Sequence, residues 1–393
     1  MARAPFRSLF RRVHLAVALV FGCVFGLSGL TGCALAWMHE LDAALNPALF
    51  HAAAAHGPPP PAAIGRIVDR LTGDPAYGRP SQVTLPERGG AVAIAWYRLP
   101  PRGGRGPFTL DRSRQVMVDP GSLAVTGERV WGEPGLSRPL LMPTLFHLHR
   151  YLLAGDIGKT VIAVSGLALL FTSMFGLVLA WPQASVAAWR RALTVAHRGS
   201  WPRFHYSFHR AAGFAAAPVL ALLGFSGCLF NQPQWIMPVV AGVATVSAQD
   251  KPRSIAASAP GAIGVAQAAQ AALDAFPAAR VSRVGLPAKP GLPYEIRLRQ
   301  PGEVRQGDGN TRVTVDAGTG RILRVRDPLR APGGDRFIDW QFPLHTGEAF
   351  GTPGRLLISL AGLAPAVFLV TGLAVWRRRK GRHTATAPGR PVG

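Results

Sequence analysis

The sequence predicts an α-helical membrane protein: a four-helix transmembrane bundle produced by a tandem duplication, with two small α+β domains outside the membrane. Three observations predict this class. Four long apolar segments are present, two longer and more polar blocks lie between them, and a spacing of 195 to 197 residues recurs between the two halves. The composition agrees, because 48% of the 393 residues are hydrophobic and only 16% are charged, which is low for a soluble protein.

Each of the four apolar segments is long enough to cross a hydrocarbon core about 30 Å thick. They are Val13–Met38, Ile157–Trp181, Ala211–Phe230 and Leu356–Trp376. The only charged residue inside them is Lys159, which lies near an end and can extend its ammonium group to the interface. Helices in soluble cores rarely stay apolar on every face for this length, so we expect all four to span a membrane.

The charge distribution predicts the orientation of these segments. The 43 Lys and Arg exceed the 20 Asp and Glu by 23, an excess that can indicate nucleic-acid binding. Here, however, the stretches 1–39, 157–249 and 349–393 contain arginines close to apolar segments and no acid at all. This pattern is typical of cytoplasmic flanks in a multi-pass protein of the bacterial inner membrane, with both termini cytoplasmic and the long blocks periplasmic. It does not favour nucleic acid as a partner.

Each periplasmic block has a helix-like segment followed by strand-like segments, with an Asp-x-Gly hairpin signal in "VMVDPGS" and "VTVDAGT". The predicted order is therefore N-terminus and first transmembrane helix 1–38, first α+β domain 39–142, interfacial helix and second transmembrane helix 143–182, cytoplasmic loop 183–204, third transmembrane helix 205–231, second α+β domain 232–335, interfacial segment and fourth transmembrane helix 336–376, and basic cytoplasmic tail 377–393.

The repeat brings histidines into corresponding positions. His14 and His209 are 195 residues apart, and His149 and His345 are 196 apart. Each repeat contains two spans, so both copies insert in the same orientation and corresponding residues lie at the same depth. We therefore expect the first pair to meet near the cytoplasmic face and the second near the outer face.

The tetrapeptide "LTGC" at 30–33 resembles a lipoprotein cleavage box after a signal-peptide-like start. The second copy carries "FSGC" at 225–228, deep in the chain, where no signal peptidase acts. We therefore expect the first span to remain uncleaved, and the Thr-Gly and Ser-Gly pairs to permit close approach of helices.

Four stretches resemble the PepSY-associated transmembrane proteins: "RRVHLAVALVFGCVFGLSGLTG", "LHRYLLAGDIGK", "FHRAAGFAAAPVLALLGFSG" and "PLHTGEAFGTPGRLLISLAGLAPAVFLVTGLAVWRRR". The resemblance covers nearly the whole chain and implies that the two outer blocks are PepSY domains. The family includes inner-membrane haem proteins that reduce ferric siderophores in the periplasm. The resemblance thus implies two haem b groups, electron transfer across the membrane, and a role in iron uptake and iron homeostasis.

Matching the family's histidines residue by residue gives His14, His209, His149 and His345 as axial ligands of haem iron. Two bis-histidine sites at two depths would relay electrons across the bilayer. His205, four residues before His209, and His147, two before His149, are alternative ligands. Arg210 and Arg150, together with Arg11 and Arg12, are candidates for charge-assisted hydrogen bonds to haem propionates. No CxxCH motif is present, so covalent attachment is excluded, and no residue is indicated as catalytic.

The sequence has no GxGxxG after a strand and no phosphate-binding loop, so the electrons must come from a partner, either a flavoprotein or membrane quinol. Two arginine clusters in the outer blocks are either solvated strand faces or an attractive surface for an anionic ferric chelate or siderophore. They are Arg98, Arg102, Arg105, Arg112 and Arg114, and Arg321, Arg324, Arg326 and Arg330. Two other functions stay open: a non-redox, membrane-anchored PepSY protein that binds peptides or regulates proteases, and a carrier of haem or metal.

Overall fold

The computed structural model describes residues 4–53, 59–87, 89–101, 106–248, 252–254 and 262–385, without the side chains of residues 4, 5 and 378–385. Arg102 and Arg105 of the first arginine cluster, and residues 386–393 of the predicted tail, lie outside the described residues.

Each half of the chain has a long helix, a shorter helix, four strands and two further helices in this order, with additional short helices that differ between the halves. The helices are α1 Ala4–Leu35, α2 Met38–Leu45, α3 Pro47–Phe50, α4 Pro61–Thr72, α5 Arg138–Tyr151, α6 Gly155–Ala180, α7 Val186–Leu193, α8 Trp201–Asn231, α9 Pro233–Val243, α10 Val265–Ala275, α11 Gly333–Thr346 and α12 Gly351–Ala385. The strands are β1 Gln82–Thr84, β2 Ala93–Leu99, β3 Arg112–Val118, β4 Val125–Trp131, β5 Arg280–Gly285, β6 Tyr294–Arg299, β7 Thr311–Val315 and β8 Ile322–Arg326.

These elements group into two compact units. The helical unit comprises Met1–Ala36, Lys159–Pro233 and Leu356–Gly393. The sheet unit comprises Trp37–Gly158 and Gln234–Arg355.

Among the residues that the structure describes, four helices are long and apolar enough to cross a membrane: Phe6–Leu35, Gly155–Ala180, Trp201–Asn231 and Glu348–Arg377. The protein is therefore a membrane protein, as the apolar segments predict. Each helix begins before its predicted apolar segment, with α8 starting ten residues before Ala211, whereas α1 ends at Leu35 and α6 at Ala180, short of the predicted ends. Flanking arginines and aromatic residues continue the helices because their side chains tolerate the membrane interface.

Within the helical unit, helices approach one another at glycines. A Cβ atom built on Gly362 of α12 would lie 2.7 Å from the carbonyl oxygen of Gly29 on α1. Gly166 of α6 and Gly224 of α8 meet in the same way, with each hypothetical Cβ 2.5 Å from the other residue's carbonyl oxygen. No side chain fits between these backbones, so the glycines set the helix separation.

For the "FSGC" box, this result corrects the expectation that the Ser-Gly pair permits close approach of helices, whereas the same expectation for Gly32 of "LTGC" stays a prediction. The close approaches lie at Gly29 and Gly224, three residues before the glycines of the boxes, and a Cβ built on Gly227 meets nothing within 4 Å. The hydroxyls instead bond to their own helices: Thr31 donates to the carbonyl of Leu27 (2.8 Å) and Ser226 to that of Leu222 (2.7 Å).

In its described residues, the sheet unit contains one antiparallel sheet of eight strands in the order β4-β3-β2-β1-β5-β6-β7-β8. Strands β1 and β5 join its halves, with Val83 opposite Val284. The sequence predicts two separate α+β domains, whereas the structure places both on one sheet. Helices α4 and α10 pack on one face, and a single hydrophobic cluster includes Ile64 and Leu71 of α4, Ala268 of α10 and residues of both sheet halves. Burial of alternate strand residues on this face accounts for the shared core.

Candidate functional site

The helical unit brings one predicted histidine pair together. His14 lies on α1 and His209 on α8, and their ring centroids are 6.4 Å apart with the planes at 89°. Both residues are partly buried. The two histidines lie 195 residues apart in the sequence, on α1 and α8.

A threonine binds one ring nitrogen of each histidine. His14 Nδ1 is 3.0 Å from both the carbonyl oxygen and Oγ1 of Thr172 on α6. His209 Nδ1 is 3.0 Å from Oγ1 of Thr371 on α12, and that hydroxyl donates to the carbonyl of Val367. A carbonyl only accepts, and the Thr371 hydroxyl has already donated its proton, so both Nδ1 atoms carry a hydrogen. The Nε2 atoms then keep the lone pair that binds a metal.

A glycine lies beside each ring. A Cβ atom on Gly176 of α6 would lie 3.3 Å from Cε1 of His14, and one on Gly372 of α12 would lie 3.5 Å from Cε1 of His209. These glycines are 196 residues apart, like the histidines of the sheet unit. Each helix that binds a histidine through a threonine thus also lacks a side chain where the imidazole ring passes.

The sheet unit brings the second predicted pair together. His149, in the last turn of α5, and His345, in the last turn of α11, have ring centroids 6.2 Å apart and planes at 71°. Burial, reinforced by the neighbouring His149, lowers the pKa of His345 to about 3. The His345 ring is therefore neutral at physiological pH, which is the form that binds metals.

A buried network fixes the helix that carries His149. The guanidinium of Arg129 on β4 donates to the side-chain oxygen of Gln115 (2.6 Å), the carboxylate of Asp42 (2.9 and 2.8 Å) and the carbonyl of Pro139 (3.0 Å). Pro139 lies in the first turn of α5, so Arg129 ties the start of this helix to the sheet. Sequence reasoning missed Arg129, although it lies 197 residues before Arg326, the same offset as the hairpin motifs.

Arg326 of β8 has the matching role for α11. Its Nη2 lies 2.9 and 3.0 Å from the two carboxylate oxygens of Asp339, six residues before His345. Helices α5 and α11, which carry His149 and His345, are thus each attached to an outer strand of the sheet by a buried or partly buried arginine.

The alternative ligands, His147 and His205, are not part of the two histidine pairs and have aromatic neighbours instead. The His147 ring packs among Trp131, Phe146 and Tyr151, and its Nδ1 bonds to the carbonyl of Pro143 at 2.8 Å. The His205 ring stacks on Trp201, with centroids 5.6 Å apart and planes at 27°. The geometry favours His149 over His147 and His209 over His205.

The two arginines predicted to bind propionates have local contacts. Arg210 bonds to the carbonyls of Arg191 and Ala192, the latter at 3.3 Å, in the last turn of α7, where helix carbonyls lack partners. The guanidinium carbon of Arg150 lies 5.3 Å from the ring centre of Tyr151. Propionate binding by either residue stays a prediction.

Each pair offers two imidazoles, a donor set compatible with haem. Two imidazoles that bind one metal from opposite sides, each through a nitrogen about 2.0 Å away, have ring centres roughly 6.3 Å apart. The two pairs, at 6.4 and 6.2 Å, match this separation. In the part of the chain that the structure describes, no group of three or more His, Cys, Asp or Glu could hold a metal ion. A group that supplies four ligands of its own, as porphyrin does, requires only two from the protein.

Comparison with known proteins agrees with the architecture. No curated protein sequence matches the chain. The profile of the PepSY-associated TM region matches residues 11–379, which include the sheet, both histidine pairs and the four membrane helices except the first residues of α1 and the last of α12. The chain therefore belongs to the PepSY-associated TM family.

Proposed function

We propose that this protein is a di-haem b electron-transfer protein of the bacterial inner membrane, which reduces a ferric siderophore or related ferric chelate in the periplasm. One observation carries the proposal: two histidine pairs, one in each unit, have ring separations of 6.4 and 6.2 Å, so each pair would hold one haem iron. Haem, when bound, would supply a one-electron redox couple at each pair.

The residues around the first pair support ligation through Nε2. Thr172 and Thr371 accept the Nδ1–H of His14 and His209, which fixes the tautomer and raises the basicity of the other nitrogen. Two imidazoles on one iron leave no open position for a small ligand, so such a site favours electron transfer over ligand binding.

The proposed topology rests on charge. The short segments that precede α1, connect α6 to α8 and follow α12 are rich in arginine, so they are cytoplasmic and the sheet unit is periplasmic. The two halves of the sheet would be the PepSY domains of a tandem duplication.

A flavoprotein or membrane quinol would supply electrons, since the described residues include no nucleotide-binding motif.

The test is an absorbance spectrum of the purified protein with a haem-to-protein ratio. We expect a reversible b-type spectrum on dithionite reduction and two haems per chain. His14→Ala with His209→Ala should remove one haem, and His149→Ala with His345→Ala the other. The matched control is His205→Ala with His147→Ala, which should retain both. Colourless protein from haem-replete cells would overturn the proposal and favour the non-redox alternative, while haem loss in the control would move the ligands to His205 and His147.

A further inference from the structure

A row of four arginines crosses the second half of the sheet. Strand register places Arg283 opposite Arg297, Arg297 opposite Arg312, and Arg312 opposite Arg326. Directly opposed residues in antiparallel strands have Cβ atoms about 4.5–5.5 Å apart, and like charges at this distance destabilise the sheet. Three successive arginine pairs therefore require a compensating interaction.

The first half of the sheet shows that the fold does not require this row. In the first half, the corresponding row of directly opposed residues on β1 to β4 consists of Gln82, Trp96, Gln115 and Arg129. Its one arginine is buried and ion-paired with Asp42. Four adjacent cations are thus a property of the second half alone, which points to a function rather than to strand pairing.

The protein's own carboxylates neutralise only the two ends of the row. Asp308 pairs with Arg283 (2.6 Å) and Arg297 (3.4 Å), and is 3.9 Å from Arg305 of the preceding loop. Asp339 of α11 pairs with Arg326. Among the described residues, the exposed side chain of Arg312, between these ends, makes neither a hydrogen bond nor an ion pair.

Several donors in this region also lack an acceptor. Nε of Arg283 and Nε of Arg305 are buried and have no hydrogen-bond partner among the described residues, and the same holds for Nε of Arg299 in the neighbouring row. Buried donors in folded proteins are normally paired. Burial, with the adjacent guanidiniums of Arg312, Arg283 and Arg305, lowers the pKa of Arg297 to about 9. The row therefore holds positive charge that its neighbours do not compensate.

We propose that the arginine row Arg283–Arg297–Arg312–Arg326 binds a multiply charged oligocarboxylate anion, centred on Arg312. The guanidinium fork can bind a carboxylate bidentately. The carboxylates of Asp308 and Asp339 already form ion pairs with the row near its two ends. An anion with two or more carboxylates spans adjacent strands and bonds to Arg297, Arg312 and Arg326 together. This site goes beyond the proposed redox function and does not depend on haem.

The experiment is calorimetric titration of citrate into the full-length, detergent-purified protein at constant ionic strength. We expect saturable binding that Arg312→Gln weakens by about tenfold or more, because the central fork is lost. Arg312→Lys keeps the charge without the fork and should bind with intermediate affinity. The matched control is Arg98→Gln, an equal charge change at an exposed residue of β2 in the other half of the sheet.

Three results would overturn the proposal: no saturable citrate binding by the unaltered protein, equal weakening in Arg98→Gln, or binding of inorganic phosphate with no binding of citrate. Arg312 is exposed and unpaired, so its variants should fold, and an unchanged melting temperature checks this. Haem content measured on the same samples separates the two proposals, since citrate binding by haem-free protein would refute only the redox function.

Discussion

Nη1 of Arg129 donates to the carbonyl oxygen of Pro139 at 3.0 Å. In a regular helix this oxygen would accept the backbone N–H of residue 143, which in α5 is a proline and has none. Arg129 thus supplies the bond that Pro143 cannot, and joins α5 to the sheet and to Asp42.

Replacing Arg129 should therefore destabilise the sheet unit and the His149 site together. Arg129→Met leaves the Asp42 carboxylate buried without its ion-pair partner, a change that costs about 3–5 kcal/mol of unfolding free energy. Denaturant titration of the purified protein measures this loss. The compensating variant Arg129→Met with Asp42→Leu should recover most of it, because an apolar pair needs no partner. Equal stability of the single and double variants would show that the ion pair is not the source of the loss.

The two threonines at the first histidine pair should respond differently to valine. Thr371→Val removes the acceptor of His209 Nδ1, while Thr172→Val leaves the backbone carbonyl that also accepts from His14. Loss of such an outer hydrogen bond lowers metal affinity by about 10- to 100-fold. We expect faster haem loss to apomyoglobin from Thr371→Val than from Thr172→Val. Faster haem loss from Thr172→Val than from Thr371→Val would contradict this prediction, because it would show that His14 depends more on its threonine hydroxyl than His209 does.

Glycine substitutions test how the membrane helices pack. Gly224→Ala places a methyl group against the carbonyl of Gly166, so we expect a loss of roughly 1–3 kcal/mol, as in other overpacked cores. Gly227→Ala, three residues along the same helix, meets open space and is the matched control. Thermal unfolding in detergent compares the two. A larger effect at Gly227 would restore the original interpretation of the "FSGC" box.

The environment of Asp119, in the hairpin after β3, predicts that the sheet unit loses stability when the pH is lowered. Burial raises the pKa of Asp119, but hydrogen bonds from the backbone amides of Gly121, Ala53 and Ser122 outweigh it and hold the pKa below its usual range. The ionised carboxylate therefore stabilises the fold above pH about 4, and this contribution is lost as pH falls through the lowered pKa.

Melting temperatures measured from pH 7 to pH 3 check this prediction. Asp119→Asn should lower the melting temperature at pH 7 and flatten its decrease on acidification. Asp69→Asn, an equal charge change at an exposed position of α4, should leave both unchanged. If the melting temperature of Asp119→Asn still fell as steeply on acidification, protonation of Asp119 would not be the cause of the loss.

The sequence predicts the four apolar helices, the residue pairs His14 with His209 and His149 with His345, and a helix followed by strands in each outer block, but it does not predict strands β1 and β5. It makes these predictions because hydropathy and repeat spacing are properties of the chain alone. The pairing of β1 with β5 could not be predicted, since strand partners depend on contacts between distant segments. Thr172 and Thr371 were missed for a related reason: their contact with a histidine depends on how each helix is rotated in the bundle.

The junction between β1 and β5 also constrains the order of events during synthesis. Residues 82–84 are made long before residues 280–285, and both α6 and α8 lie between them in the chain. The edge of the first four strands therefore stays without its neighbour until two membrane helices and the start of the second block have left the ribosome. A chain that stops before β5 would expose that edge to other chains, so truncated forms of this protein should aggregate through it.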